Sequence, residues 1–480
     1  QAPYAPPRNP VERTLCAAFA EVLGLDAETF GIDDDFFALG GNSIRCMKAV
    51  SIANISKLSI SDIYRLKTPA RISEALFGME EDDFSEEQAR GMSVTATPGQ
   101  LNMMDYQFTH AKSVMYNIPS LYRIDDRIGD DRLASAVNAV IRNHPALYTV
   151  FETDEEYNFV QRCRPDMLRD VQWEDIAPED LHSAIDGLVA PFTSLRCTPL
   201  FRIRLLRCGR LRYLFMDMHH MISDGFSVGV LRENILRAIR GEPLPEDYYY
   251  TFLLREQKAA QTSAYAEAKQ YFSNLLGDTD WCNIPKPDFA SWDSEGAEEM
   301  IGLSLTLKQM EEAQARLKAS GNVICLAAGA LALREYSKKE DVLLNWINDN
   351  RSRAGNETTV GLLFKILPVA LHMDEYSDKK TLVEEIRRQT DAGFAHSICD
   401  YQEIMEKALE DSIEINYLPG LADGEEQTEE TGILEEVELA EVHNAAGGRV
   451  GMYIGDLDGV LAVSCSYQKR IYAPGSMRRF

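Results

Sequence analysis

The sequence is short of positive charge. Its 480 residues carry 49 Lys and Arg against 76 Asp and Glu, a formal net charge of −27. Such a surface repels phosphate backbones and anionic headgroups, which argues against nucleic acid or a membrane surface as a partner. Long apolar runs are also missing: the longest, Val323 to Leu333, is too short to cross a bilayer. The opening Gln1-Ala2-Pro3-Tyr4 has neither Met nor the basic-then-apolar pattern of a secretory signal, and reads as part of a larger chain. Cysteine is present, but the nine residues are odd in number and no two form a C-x-x-C pair. That argues against a disulfide framework or a zinc site and fits a reducing cytoplasm, with most thiols acting as small core residues. No repeat occurs at solenoid periods. What is there is enough apolar material, 45% of residues, for about three compact units.

Residues 1–10 are rich in proline and read as a linker end. Val11, Leu15, Phe19, Val22 and Leu23 then fall at helical spacing, started by Asn9-Pro10 and stopped by Gly24. After a loop from Leu25 to Asn42, helical spacing resumes at Ser43, then over Ser59–Leu66 and Pro69–Phe77. This predicts a small all-α bundle over residues 8–77. Residues 78–96 follow as a linker. Six of the eight residues from Glu80 to Glu87 are acidic and no apolar period runs through them, which predicts a flexible coil. From Thr97 onward helical and strand-like runs alternate, as in a mixed α/β domain. Expected helices include Asp131–Arg142, Glu179–Ala190, Ser227–Arg240 and one long helix, Thr251–Leu276. Expected strands include Ile118–Ile124, Phe201–Arg207, Leu211–Met218, Val342–Ile347, Phe364–Leu371 and Ser412–Tyr417. Residues 408–448 hold no Lys or Arg and read as a solvated acidic loop, with a docking surface for a basic partner as the other reading.

Two short stretches carry chemistry. In the first, Ser43 follows Gly40-Gly41 and opens a helix. An ordinary helix cap would look the same. No His or Asp within the motif is placed to activate the hydroxyl, so Ser43 suits modification by another enzyme better than self-acting nucleophilic attack. The stretch Asp35-x-Phe37-x-Leu39-Gly40-Gly41-x-Ser43-Ile44, within this helical pattern, resembles the peptidyl carrier domains of non-ribosomal peptide synthetases. The resemblance implies that Ser43 bears a 4′-phosphopantetheine arm, installed from coenzyme A by a phosphopantetheinyl transferase. Asn42 stands where that family more often has His or Asp.

The second stretch is His219-His220-Met221-Ile222-Ser223-Asp224-Gly225, at the end of an apolar strand-like run. Neighbouring strand residues face opposite sides, so one histidine can face a cavity while the other is packed. That argues against a two-histidine metal site. A core histidine before an Asp-Gly turn is the plain structural reading. The H-H-x-x-x-D-G pattern resembles the condensation domains of the same synthetases and the wider chloramphenicol-acetyltransferase-like group. Thr97-Pro98-Gly99-Gln100, Met115-Tyr116-Asn117-Ile118-Pro119, the run Arg142 to Phe151 and the run Val360 to Pro368 resemble further family stretches in the same order. Phe226, Tyr148 and Lys365-Ile366 depart from that family's usual residues.

The resemblance implies a two-lobed α/β domain of chloramphenicol-acetyltransferase type over residues 97–265 and 266–480, with a tunnel between the lobes. It places His219, His220, Asp224 and Gly225 at the reaction centre. His220 would face the substrates, and a backbone N–H near Gly225 would lie near the oxyanion. Asp224 would be structural, ion-paired to an arginine of the second lobe, for which Arg351 is the candidate. The implied reaction is attack of an acceptor amine on a donor acyl thioester held by the carrier, giving an amide. Implied partners are an upstream adenylation domain and a downstream acceptor carrier; a monomer is expected. An epimerisation domain behind a carrier, faintly suggested by Asn416-Tyr417-Leu418, and a non-catalytic recruitment scaffold are the alternatives.

Overall fold

The computed structural model describes residues 4–26, 29–41, 43–55, 58–78, 85–289, 296–351, 356–399, 413–418, 431–437, 439, 450–457, 460–468 and 471–480. The chain opens with four helices: α1 (Pro10–Leu23), α2 (Ser43–Ala53), α3 (Ile60–Leu66) and α4 (Pro69–Gly78). Asn9 starts α1 by accepting the Glu12 amide at 2.8 Å, with Pro10 at the first helical position where its missing N–H costs nothing. Ser59 and Asp62 cap α3 reciprocally. Leu15, Phe19, Phe30, Phe36, Ile63 and Ile72 fill the bundle's own core.

The next segment differs from the flexible coil expected over 78–96. Glu86–Arg90 is a helix (α5), capped by Ser85 and Gln88, and Val94–Thr95 is a strand (β1). Local charge masked a tertiary anchor. Glu86 is buried and accepts the Thr251 amide at 3.0 Å, and Arg90 donates to the Asp247 carbonyl.

The first half of the remaining chain runs α6 (Pro98–Thr109), β2 (Asn117–Ile124), α7 (Asp130–Asn143), β3 (Thr149–Thr153), β4 (Phe159–Cys163), β5 (Trp173–Asp175), α8 (Leu181–Asp186), β6 (Phe201–Cys208), β7 (Leu211–His219), α9 (Gly225–Arg240), α10 (Tyr249–Ala259) and α11 (Ser263–Leu276). The second half runs β8 (Gly296–Thr306), α12 (Leu307–Leu317), α13 (Gly321–Ser337), β9 (Asp341–Asn348), β10 (Lys365–His372), α14 (Lys379–His396), β11 (Ile413–Tyr417), β12 (Leu434–Glu436), β13 (Val450–Leu457), β14 (Val460–Gln468) and α15 (Pro474–Arg479). The helix expected over Thr251–Leu276 is two, because Thr262 caps a fresh start by accepting the Tyr265 amide.

Two large sheets form the two lobes. The order β12-β2-β7-β6-β5 builds the first, and β10-β9-β11-β13-β14-β8 the second; a small sheet, β1-β4-β3, flanks them. Strand β12 comes from the second half of the sequence but pairs with β2, Leu434 opposite Ile124, so the lobes exchange an element. Most of the acidic stretch 408–448 lies outside the described residues, and its described parts include β11 and β12. Among the described residues no single helix is long and apolar enough to cross a membrane. Six of the nine cysteines are buried and Cys197 is exposed.

Candidate functional site

Strand β7 carries its alternation into the site. Met216 and Met218 face one side; Asp217 and His219 face the other, beside Asn117 and Arg202 of the neighbouring strands. Asp217 receives Asn117 Nδ2 at 2.8 Å and Arg202 at 3.0 Å, and burial nonetheless pushes its carboxyl up to about 6. His219 is fully buried between the rings of Tyr116 and Phe192. Its Nδ1 accepts the Met221 amide at 3.1 Å, so the neutral ring carries its proton on Nε2. Burial, with His220 and Arg202 nearby, pushes it down to about 3.

The strand then breaks into a short turn, His220–Ile222. The His220 amide donates to the Tyr116 carbonyl at 2.7 Å, which swings the next ring out of the sheet. That ring meets Phe364 of the second lobe edge-on at 5.6 Å and Tyr116 at 6.5 Å. His220 is half-buried where His219 is sealed. One histidine faces the seam between the lobes and the other packs, as the strand period requires.

Asp224 caps α9. Its Oδ1 accepts the Ser227 amide at 2.9 Å, and the Arg351 guanidinium reaches Oδ1 at 2.8 Å and Oδ2 at 3.0 Å. Arg351 also donates to the carbonyls of Asn356 and Thr359, so it ties the segment 356–359 to α9. Both partners are buried. With its lone pairs committed to this ion pair and to the Ser227 and Leu363 amides, Asp224 holds the turn rather than the substrates. Gly225 meets no steric demand: a Cβ there would touch nothing within 4 Å, so the glycine leaves the space beside the start of α9 clear.

Residues 359–363 form a strap across the seam. Ser227 Oγ accepts the Gly361 amide at 3.1 Å, and Asp224 Oδ2 accepts that of Leu363. A Cβ on Gly361 would lie 2.4 Å from the Tyr249 ring, so only glycine lets the strap come this close. A second buried hub escaped the sequence reading. Asp247 accepts the Val360 amide and pairs with His144 Nδ1 at 2.5 Å, while His144 Nε2 takes a hydrogen bond from Asn234. Its one sequence sign was an acidic residue just before the aromatic run 248–250.

Beside the strap a cavity of about 170 Å³ opens between α6, α10 and residues 362–366. Phe364 lines its wall and also touches His220, so the cavity runs toward that ring. Lys365 and Glu256 close its side. The buried Lys365 ammonium lies 2.5 Å from Glu256 and 3.2 Å from the carbonyl of Ile398. Sequence reasoning marked Lys365 only as a departure and missed Glu256.

Ser43 stands apart, at the first residue of α2. Gly40 has φ +104°, and a Cβ on Gly41 would lie 2.3 Å from the Phe36 ring. Both glycines are needed for the chain to turn into α2 at this point. A helix start favours an anion, which suits a phosphodiester on the first residue of α2.

The structure thus brings His219, His220, Asp224, Gly225 and Arg351 together and keeps Ser43 on a separate bundle. Comparison with known proteins follows the same division. Residues 13–76 match the family described as "Phosphopantetheine attachment site", and residues 93–480 match "Condensation domain". Gramicidin S synthase 2 of Aneurinibacillus migulanus is 28% identical over 425 residues, 84% of this chain and 9% of that protein. Tyrocidine synthase 3 of Brevibacillus parabrevis is 26% identical over 420 residues, 85% of this chain and 6% of that protein. The chain therefore spans less than a tenth of these relatives. Among solved structures, the first condensation domain of the CDA synthetase matches at TM-score 0.64 and 16% identity, covering 81% of this chain and 94% of that one. The X-domain from teicoplanin biosynthesis matches at TM-score 0.67 and 16% identity, over 80% and 91%. The epimerization domain from the third module of tyrocidine synthetase B matches at TM-score 0.61 and 17% identity, over 80% and 94%. These likenesses establish the two-lobed fold, and the match over residues 93–480 places the chain in the condensation-domain family, with a phosphopantetheine attachment domain ahead of it.

Proposed function

We propose that the chain is a carrier–condensation unit that joins a donor acyl group, held through Ser43, to an acceptor amine as an amide. The observation that carries this is the division of labour in the His motif. Asp224 is used up in an ion pair and His219 is sealed, while His220 alone faces the seam where Phe364 leads to the cavity. When bound, the phosphopantetheine arm supplies a flexible thiol that presents the acyl group as a thioester. The amine nitrogen bonds to the acyl carbon, the carbon–sulfur bond breaks, and the proton leaves the amine for His220 or solvent. An α-amine of pKa about 7.7–8 is partly neutral near pH 7. Holding it in line can therefore supply much of the rate. His220 orients the amine and accepts its proton, a contribution of roughly 10²–10⁴-fold. A first-turn amide of α9 near Gly225 stabilises the oxyanion. Asp224 and Arg351 act as positioning residues that keep the turn in place.

In this reading the donor comes from an upstream adenylation domain through the carrier, and the amine arrives on a downstream acceptor carrier. A phosphopantetheinyl transferase primes Ser43, and the unit works as a monomer in the cytoplasm. The test is a loaded turnover assay. An aminoacyl-pantetheine is attached to Ser43, an acceptor amine is offered, and the arm is read by intact mass and chiral analysis. Amide formation that falls roughly 10²–10⁴-fold in His220→Ala supports the proposal. An inverted but unextended aminoacyl group would make the unit an epimerase. Failure of Ser43 to load would remove the carrier role.

A further inference from the structure

The four-helix bundle does not hang free of the lobes. Its α3 packs on α14 of the second lobe. Tyr64 stacks on Phe394 with ring centroids 5.1 Å apart and planes 12° apart. Behind Tyr64 lie Phe37, Phe36 and Phe19 of the bundle, each ring touching the next; behind Phe394 lies Trp346 of β9 at 4.9 Å. The ring contacts thus run unbroken from one core into the other. Phe394 and Ala395 pack against the bundle's core residues. Asp391, one turn earlier on α14, lies among Tyr64 and Lys67 of the bundle and Arg387 of its own helix, and burial raises its carboxyl to about 6. Phe37, three residues before Gly40, meets Tyr64 at 4.7 Å, so the loop that leads to Ser43 starts from this contact. Four residues beyond Phe394, Ile398 lines the cavity that leads to Phe364 and His220.

The tether restricts where the bundle can go. Helix α5 is fixed to α10 through Glu86, so only the chain between Gly78 and Ser85 spans from bundle to lobes. Seven Cα steps reach at most about 25 Å. A tether this short keeps the bundle at millimolar effective concentration beside α14, enough to populate a contact of a few side chains.

We propose that the face of α14 formed by Asp391, Phe394 and Ala395 is the delivery dock for this chain's own carrier, with Tyr64 as the residue that seats it, and that the carrier serves in cis only the cavity mouth beside Ile398. Delivery as such rests on the carrier–condensation reading; the docking contact does not. The test uses the full chain. Ala395→Arg leaves the Phe394–Trp346 packing intact but puts a long charged side chain into the dock. Hydrogen exchange should rise at least tenfold over Ile60–Leu66 and stay unchanged over Pro10–Leu23. Tyr64→Ala should raise exchange in the last turns of α14. Asp391→Asn, which removes the buried charge and keeps the side chain's shape, should leave α3 at least as protected as in the parent. With Ser43 loaded, Ala395→Arg should slow amide formation from the tethered donor at least tenfold. Turnover of a free N-acetylcysteamine thioester, which needs no dock, should not change. Unchanged exchange over Ile60–Leu66 in a folded Ala395→Arg chain overturns the dock. Loosened exchange with unchanged tethered turnover overturns its role in delivery. Loss of both donors would place the defect in the reaction centre and overturn it equally.

Discussion

Asp224 shows how one residue can look catalytic while its bonds say otherwise. It caps α9, pairs with Arg351 and accepts the Leu363 amide, all while buried. Breaking such a pair on one side leaves a charge stranded and costs roughly 3–5 kcal/mol. Arg351→Ala should therefore lower stability by that order in urea titrations. Removing both charges together, Asp224→Asn with Arg351→Met, should cost less than the sum of the single changes, because the two side chains are directly coupled. Full stability with lost turnover in Asp224→Asn would instead give it a chemical role. His219 makes a second prediction, about pH. Its folded value of about 3 lies below the ordinary 6.5 because burial disfavours the charged ring. As pH falls through 6.5, the unfolded chain takes up a proton that the folded chain refuses, so His219 withdraws stability progressively down to about pH 3. Asp217, raised to about 6, works in the opposite direction on the same strand. A His219→Gln variant removes the first effect and leaves the second. Relative to the parent its melting temperature should therefore climb between pH 6.5 and 4, and a constant difference would contradict the buried neutral ring.

At the scale of elements, the strap 359–363 does most to join the lobes beside the site. Gly361 is its tightest point, against the Tyr249 ring. Gly361→Ala should cost about 1–3 kcal/mol by overpacking, and Tyr249→Leu in the same chain should return part of it; a neutral Gly361→Ala in thermal melts would mean that the strap can shift. Elements with strong local signals could be read from sequence alone. The strand before His219 ends where its apolar run ends, and α1 lies between its start and stop signals. What could not be read is set by distant contacts. Nothing local marks Glu86 as the residue that fixes the linker to α10, since its partner is the Thr251 amide far along the chain. The break between α10 and α11 hides in a run of good helix formers, where a single Thr262 cap decides it. Likewise the motif pointed to His220, but Phe364, which orients its face of the seam, belongs to the other lobe.

For the whole molecule, the packing groups suggest how it melts. The bundle has a core of its own, around Phe19, Phe36 and Ile63, and meets the rest through the packing of α3 on α14, with Tyr64 on Phe394, and through a short tether. The two lobes are tied far more closely. Arg351 crosses to Asp224, the Val360 amide to Asp247 and Lys365 to Glu256, and β12 is a strand of the second half built into the first lobe's sheet. None of these links joins neighbours in sequence, which is why the chain reads as two lobes while the structure closes them into one unit. Calorimetry should therefore show two transitions. A small one belongs to the bundle, on the order of 50 kcal/mol at about 0.7 kcal/mol per residue. A larger one belongs to both lobes melting together. Leu434, buried in β12, separates the possibilities. Leu434→Lys places a charge inside the first lobe's sheet using a residue of the second half. If the lobes are one unit, it should lower the large transition as a whole and leave the small one in place. Three transitions in the parent, or a shift confined to part of the large peak in the variant, would mean that the lobes melt separately and that their exchange of β12 does not couple them.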